Sequence, residues 1–224
     1  METFRPWQII PDEYWKRSRE AQEFLQNINV RNYRFNASDF ISSEMKKVRS
    51  LDVGCGTRGM GTQANIDIAH PGIIHDNFQI MDAHHLDFPE NTFEAVSLVD
   101  VVEHVENPPQ VLREIYRVLE KDGILYLTTA NPSHISYFLR YLRNKRLVIQ
   151  CDHLYIWFWE MLAWMIHNVG FRDIEVCFWG DSDHVLKEGK WIKLYRSYSL
   201  ANILYRLGFR NPILHLCMFI MCRK

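Results

Sequence analysis

Apolar positions change their period several times along the chain, and each change predicts an element. Over residues 11–26 they are spaced helically, with Tyr14, Trp15, Ala21, Phe24 and Leu25 set around a charged segment. From residue 49 the runs shorten to strand length: 49–53, 65–68, 78–81 and Phe93–Val99 are β-rich and separated by turn residues. Residues 108–119 return to the helical period, with Val111, Leu112, Ile115, Tyr116 and Leu119 on one side and Asp122-Gly123 as the stop. Then follow a strand over 124–129, an aromatic helix over 155–169 closed by Gly170, and a strand over 173–178. A basic helix over 190–207 and a last strand over 213–221 complete the chain.

Strands alternating with helices in this way predict an α/β fold: a Rossmann-like, doubly wound, mostly parallel seven-stranded sheet. The last strand arrives after a long connection and is expected to enter antiparallel. Residues 1–48 are expected to form an N-terminal helical cap on a domain over 49–224. Additions to that domain fall at 133–152 and 179–212. No repeat or Pro/Gly-rich linker divides the chain, so a single domain is expected overall.

The strand at 49–53 runs into Leu51-Asp52-Val53-Gly54-Cys55-Gly56-Thr57-Arg58-Gly59. Glycines there let the backbone turn off the strand and let a ligand come closer than a Cβ would permit. The G-x-G-x-x-G pattern alone is weak, but directly after a strand it marks a ligand loop. In a dinucleotide site the ribose-binding acid comes about 20 residues beyond the glycines. Here Asp67 follows Gly59 by only eight residues. Asp52 also sets a carboxylate beside the loop, which repels a diphosphate and attracts an ammonium group. The expected ligand therefore carries positive charge and a ribose, and a nicotinamide cofactor is disfavoured.

With these motifs the chain resembles the class I S-adenosylmethionine-dependent methyltransferases. The similar branch holds the ubiquinone and menaquinone methyltransferases and many glycan and lipid methyltransferases. The resemblance covers residues 49–178. It continues past the loop through Asn65-Ile66-Asp67-Ile68, Met81-Asp82-Ala83, Phe88-Pro89-Glu90-Asn91-Thr92-Phe93 and Val102-Glu103-His104-Val105-Glu106-Asn107-Pro108. Leu112-Arg113-Glu114-Ile115-Tyr116-Arg117-Val118-Leu119 and Val169-Gly170-Phe171 complete it.

The resemblance implies that Asp52, Gly54, Cys55 and Gly56 hold the methionine part of S-adenosylmethionine, with Asp52 near its amino group. It implies Asp67 on the ribose hydroxyls, Ile68 on the adenine face, and Asp82 with Ala83 at the adenine edge. Val99, ending the fourth strand, belongs to the same set. S-adenosylhomocysteine would be the product. Two departures stand out: the interval 60–66 is short, so the family's first helix is expected cut to about one turn, and Glu120-Lys121-Asp122-Gly123 replaces Lys-Pro-Gly-Gly.

Methyl transfer is an in-line displacement that needs alignment, plus a base when the acceptor is protonated. The expected acceptor-side residues follow the fourth strand in Asp100-Val101-Val102-Glu103-His104. Were this stretch helical, Asp100, Glu103 and His104 would share a face. The ubiquinone-type O-methyltransferases and the small-RNA 2′-O-methyltransferases have a similar E-V-x-E-H and hold a divalent metal with it and a later histidine. Asp100, Glu103, His104 and His153 are the corresponding metal candidates. Relatives without metal carry the same E-H, so a divalent metal is possible but not expected. His104 and His153 are the candidate catalytic residues. His134 sits at another expected strand end, and the pair His84-His85 is expected in a solvated loop.

Composition excludes other classes. With 47% hydrophobic and 24% charged residues the chain is neither disordered nor collagen-like. Five scattered cysteines without a C-x-x-C pair suggest neither a zinc ribbon nor a disulfide scaffold, and fit a reducing cytoplasm. The start turns charged at once, unlike a secretory signal. The longest apolar run, 216–222, is far short of the ~20 residues of a spanning helix, so no integral membrane protein is expected.

The net charge of −1 hides a sorted distribution. Residues 1–50 carry +2, residues 51–132 carry four basic and thirteen acidic residues (−9), and residues 133–224 carry thirteen and seven (+6). The acidic section holds the cofactor motifs, as a cationic cofactor requires. The basic section holds two aromatic stretches, 137–146 and 187–207, the second a candidate peripheral membrane contact. A pI near 6.8 and the lack of a known RNA-binding module argue against nucleic acid. The expected function is methyl transfer to a small-molecule, glycan-linked or lipid-like acceptor, with oxygen as acceptor atom. The alternative is a non-catalytic S-adenosylmethionine-binding protein acting through an interaction surface.

Overall fold

The computed structural model describes residues 12–32, 37–70, 72, 77–134, 137, 141–142, 152–179 and 217–224. Its strands are β1 (Asn29–Asn32), β2 (Ser50–Val53), β3 (Ala64–Asp67), β4 (Phe78–Ile80), β5 (Phe93–Val99), β6 (Leu119–Ala130), β7 (Arg172–Trp179) and β8 (Cys217–Arg223). They form one sheet in the order β1-β7-β8-β6-β5-β2-β3-β4. Strand β8 runs antiparallel between β6 and β7, and every other pair is parallel. The expected doubly wound sheet with a reversed last strand is what the chain builds.

Among the described residues there is one strand more than the expected seven. Within the stretch expected to be a helical cap, Asn29–Asn32 lies parallel along the open edge of β7. Four residues reading Asn-Val-Arg-Asn carry no periodicity, so the edge that receives them, not their pattern, makes them a strand.

Alternation along the strands sorts the sheet's two faces. On one face Leu51, Val53, Ile66, Val96, Leu98, Leu125 and Leu127 meet two helices. These are α3 (Pro108–Val118), which brings Val111, Leu112 and Ile115, and α4 (Trp159–Val169), which brings Leu162, Ala163 and Ile166. Two further helices precede them: α1 (Asp12–Gln26) lies against α4, and α2 (Ala37–Met45) covers part of the opposite face. There Ala37, Ile41 and Met45 of α2 pack on Ala95, Tyr126, Cys177 and Phe219. Each fully buried Leu, Ile or Phe contributes roughly 1.5–3 kcal/mol. Farther along that second face the sheet turns polar: Asn65, Asp52 and Ser97 are cross-strand neighbours in one buried row.

Helix α3 begins with Asn107, whose side chain accepts from the Gln110 N–H, and with Pro108 in the first turn, where no N–H is missed. Its last turn grips the loop that follows β4. Arg117 donates to the carbonyls of Phe88 and Leu86, both at 2.7 Å, and to Glu114. Glu114 in turn accepts from the Leu86 N–H at 2.9 Å. The Arg117 guanidinium holds the Glu114 carboxyl below the usual carboxylate range. Among the described residues no helix is long and apolar enough to cross a membrane.

Arg117→Met should therefore lower unfolding stability by about 1–2 kcal/mol, because two carbonyls and a carboxylate lose their donor. The same change at the exposed Arg113 should cost less than ~0.5 kcal/mol. Urea denaturation of both variants checks this.

Candidate functional site

At the end of β2 the backbone enters a left-handed turn at Gly54 (φ 70°), whose N–H and that of Cys55 both donate to the Ile66 carbonyl at 2.8 and 3.0 Å. A Cβ at Gly54 would lie 2.3 Å from the Val101 side chain. Before β3 the chain makes only a single turn, in which the Arg58 and Gly59 N–H groups donate to the Cys55 carbonyl, and residues 59–61 then run irregularly back over the sheet. Side chains of the polar row replace the helix as partners for the backbone. Asp52 accepts from the Met60 N–H at 2.8 Å, and Asn65 accepts from the Gly61 N–H at 2.8 Å. Asn65 also donates to the Gly61 carbonyl and, at 2.5 Å, to Asn77. Close approach is possible because residue 61 is glycine: a Cβ there would fall 2.0 Å from the Ala64 carbonyl oxygen.

Asp52 thus stands beneath the loop instead of on its open side. It is 1% exposed, and its other oxygen accepts from the Ser97 hydroxyl at 2.5 Å. The reason is the alternation of β2, which turns Asp52 to the same face as Asn65 and Ser97. Neither Asn65 nor Ser97 was singled out from the sequence. The available signal was a polar residue in the middle of each short, otherwise apolar strand.

The outer side of the loop is open: a Cβ at Gly56 would meet no described atom within 4 Å. The Gly56 N–H donates to Asp67 at 3.0 Å, which fixes that half-buried carboxylate at the end of β3. The remaining lone pairs of Asp67 can accept further donors. Ile68 beyond it is 72% exposed. Cys55 is buried, and burial together with Asp52 and Asp67 pushes its thiol up to about 12, so it stays protonated and unreactive.

Asp82, after β4, accepts from the backbone N–H of His84 at 2.9 Å and pairs with its ring at 2.7 Å, which holds the carboxyl below its ordinary value. The other ring nitrogen of His84 accepts from the Asn107 N–H at 3.1 Å. His84 therefore carries its proton toward Asp82 and ties that loop, in which His85 is exposed as expected, to the start of α3. Ala83 and Val99 are partly buried against the core.

After β5 the chain does not turn helical. Asp100 adopts φ 54° and accepts from the Thr128 hydroxyl at 3.0 Å, and a tight turn then brings the His104 N–H to the Val101 carbonyl. Asp100 consequently leaves the face it was expected to share with Glu103 and His104. Those two residues do come together with His153: among the described residues their ligand atoms all lie within 4.8 Å of one another. Asp100 is not part of that group.

The backbone of residues 154 and 155 donates to the Glu103 carbonyl, which brings His153 against His104 at 4.7 Å between rings, edge to face. His104 also lies 3.1 Å from the Asp152 carbonyl oxygen. Glu103 is 2% exposed, and its Oε2 has no hydrogen-bond partner among the described residues. Burial raises the Glu103 carboxyl above its ordinary value, and burial together with His104 lowers the His153 imidazole. One carboxylate and two imidazoles can hold a proton between them, and they also suit a divalent ion of borderline softness. His134 is buried, on the segment after β6. The basic stretch 187–207 and most of 137–146 lie outside the described residues.

A family model described as a methyltransferase domain matches residues 16–176. Among curated relatives, a ubiquinone/menaquinone biosynthesis C-methyltransferase of Desulfotalea psychrophila is 34% identical over 38% of this chain and 36% of that protein. A ubiquinone biosynthesis O-methyltransferase of Neisseria meningitidis is 25% identical over 57% of this chain and 61% of that protein. The chain thus spans between about a third and three fifths of the length of these relatives. In fold it is similar to a SAM-dependent methyltransferase from Archaeoglobus fulgidus, with TM-score 0.56 at 17% identity, over 83% of this chain and 94% of that one.

Asp67→Ala should weaken S-adenosylhomocysteine binding at least about a hundredfold, the worth of two hydrogen bonds to a charged group. Ile68→Ala should weaken it only about fivefold to tenfold. Isothermal titration calorimetry on both variants reads the difference, and normal binding by the Asp67 variant would remove the ribose assignment.

Proposed function

Because the chain belongs to the class I S-adenosylmethionine-dependent methyltransferase family, we propose that it moves the cofactor's sulfonium methyl group to an oxygen of a small-molecule, glycan-linked or lipid-like acceptor. The observation that carries oxygen as the target is the Glu103–His104–His153 group, with a buried Glu103 oxygen that has no hydrogen-bond partner among the described residues. A hydroxyl acceptor must lose a proton as its oxygen attacks the methyl carbon and the bond to sulfur breaks, leaving a methyl ether and S-adenosylhomocysteine. His153, kept neutral by burial and by His104, is suited to take that proton, and Glu103 to share it. The acidic loop region, −9 over residues 51–132, favours the cationic cofactor over its neutral product. The ubiquinone and menaquinone in the relatives' names support a lipid-like acceptor.

The same donor set supports a second reading, in which a divalent ion sits among Glu103, His104 and His153. Such an ion would supply Lewis acidity toward the acceptor oxygen. Asp100, engaged with Thr128, would not complete its ligands.

Tritiated S-adenosylmethionine incubated with the protein and fractionated extract, lipid and aqueous phases counted separately, tests both readings. Label should enter the lipid phase, and His153→Asn should cut it roughly a hundredfold, within the range of general base catalysis, while S-adenosylhomocysteine affinity is kept. Loss of labelling with EDTA and its return with Mg²⁺ would select the metal reading. Cofactor binding with no label in either phase would instead identify a non-catalytic S-adenosylmethionine-binding protein.

A further inference from the structure

Helices α1 and α4 end together at the edge of the sheet where β1 and β7 begin. The glycine loop and the Glu103–His104–His153 group lie at the other edge, and the eight residues of β7 separate the two by roughly 25 Å. Between the helix ends and the strands is an open cleft of about 590 Å³, a volume typical of small-molecule sites. Its apolar floor is Phe24, Ile28 and Ile174. The Phe24 ring is stacked on that of His167 at 4.2 Å and meets Trp164 at 5.5 Å, which holds an aromatic surface in place there.

The polar side of the cleft is acidic where cations are ordinarily found. The last carbonyls of a helix carry partial negative charge and are commonly met by lysine or arginine. Neither helix has one: α1 has no basic residue in its last turn, and α4 has His167 alone. Each is closed instead by a neutral amide, Asn27 donating to the Glu23 carbonyl at 2.8 Å and Asn168 to the Trp164 carbonyl at 2.6 Å. Two carboxylates, Asp173 and Glu175, join the same lining. Asp173 is held at φ 50°, where β7 bulges against β8. Arg172 also lines the cleft, but its guanidinium is paired with Asp122, which lies outside the lining. An anion is repelled here, and a bare metal ion would leave the aromatic and aliphatic floor unused. An ammonium joined to an apolar body satisfies both sides, through charge, cation–π attraction and burial. We propose that this cleft is a second ligand site, for a small organic amine. Its ammonium is held by Asp173 and Glu175, and its apolar part lies on Phe24, Ile28 and Ile174. The site is independent of methyl transfer, and binding there needs no turnover.

Amide NMR titration of the full chain tests it, with S-adenosylhomocysteine saturating so that the cofactor site is filled. Phenethylamine is the probe, and hydrocinnamate, of similar size and opposite charge, is its control. Phenethylamine should shift the amides of His167, Asp173 and Ile174 with a Kd of about 1 mM or less. Hydrocinnamate should bind at least about tenfold more weakly, and added salt should weaken the amine. Asp173→Asn, which tolerates the left-handed backbone, should weaken phenethylamine at least about fivefold with the melting temperature kept. Phe24→Leu should weaken it by a similar factor of about five through the lost ring face. No shift at these amides up to about 10 mM, equal binding of the two probes, or unchanged affinity in Asp173→Asn overturns the proposal.

Discussion

The carboxylate of Asp52 is the constraint around which the cofactor end of the sheet is arranged. A charge removed from water must be met by several donors, and hydrogen bonds to a charged group are worth about 1.5–3 kcal/mol each. Here one donor is the Ser97 hydroxyl on the neighbouring strand and another is the Met60 N–H of the loop that returns over the sheet. The first joins β2 to β5 below the ladder, and the second stops the glycine loop from lifting. Because the family's usual helix is missing here, loop N–H groups with no helical partners would otherwise be lost to solvent. Asp52 and Asn65 take that place with side chains, at the cost of burying a polar row in an otherwise apolar sheet.

The rest of the site follows from where this anchoring leaves the loop. With Gly54 turned over Val101 and Gly56 held by Asp67, the loop and the ends of β3 and β5 face the same edge of the sheet, where ligands bind in folds of this kind. The segment after His153 closes the other side by bonding to the backbone of Glu103. Along the sequence the charge is divided, −9 over residues 51–132, which hold the glycine loop, and +6 over residues 133–224.

How far this was legible in the sequence varied by element. Strands β2 and β5 and helix α3 were plain, because continuous or strictly periodic apolar runs ended at glycine, proline or asparagine. Strand β1 was not, since Asn29–Asn32 owes its state to an edge partner more than a hundred residues away. Helix α4 starts at Trp159, not at 155, because Tyr155 and Trp157 are drawn off by long-range hydrogen bonds to residues 106 and 102. A period measured along the chain cannot register such partners. The grouping of Glu103, His104 and His153 was anticipated, whereas the departure of Asp100 depended on a left-handed backbone that a helical pattern does not reveal. Asp52 was expected near the cofactor's amino group, and the structure adds that it is buried and accepts from Ser97 and from the Met60 N–H. Strand alternation alone would have turned it inward with Asn65 and Ser97.

Amide hydrogen exchange at Met60 tests this account most directly. In the wild-type protein that amide should be protected although its residue lies in an irregular loop, and in Asp52→Ala it should exchange at least about tenfold faster, with S-adenosylhomocysteine affinity falling alongside. A Met60 amide that exchanges freely in the wild type, or an Asp52→Ala variant that binds S-adenosylhomocysteine normally, would contradict the claim that this buried carboxylate holds the loop in shape.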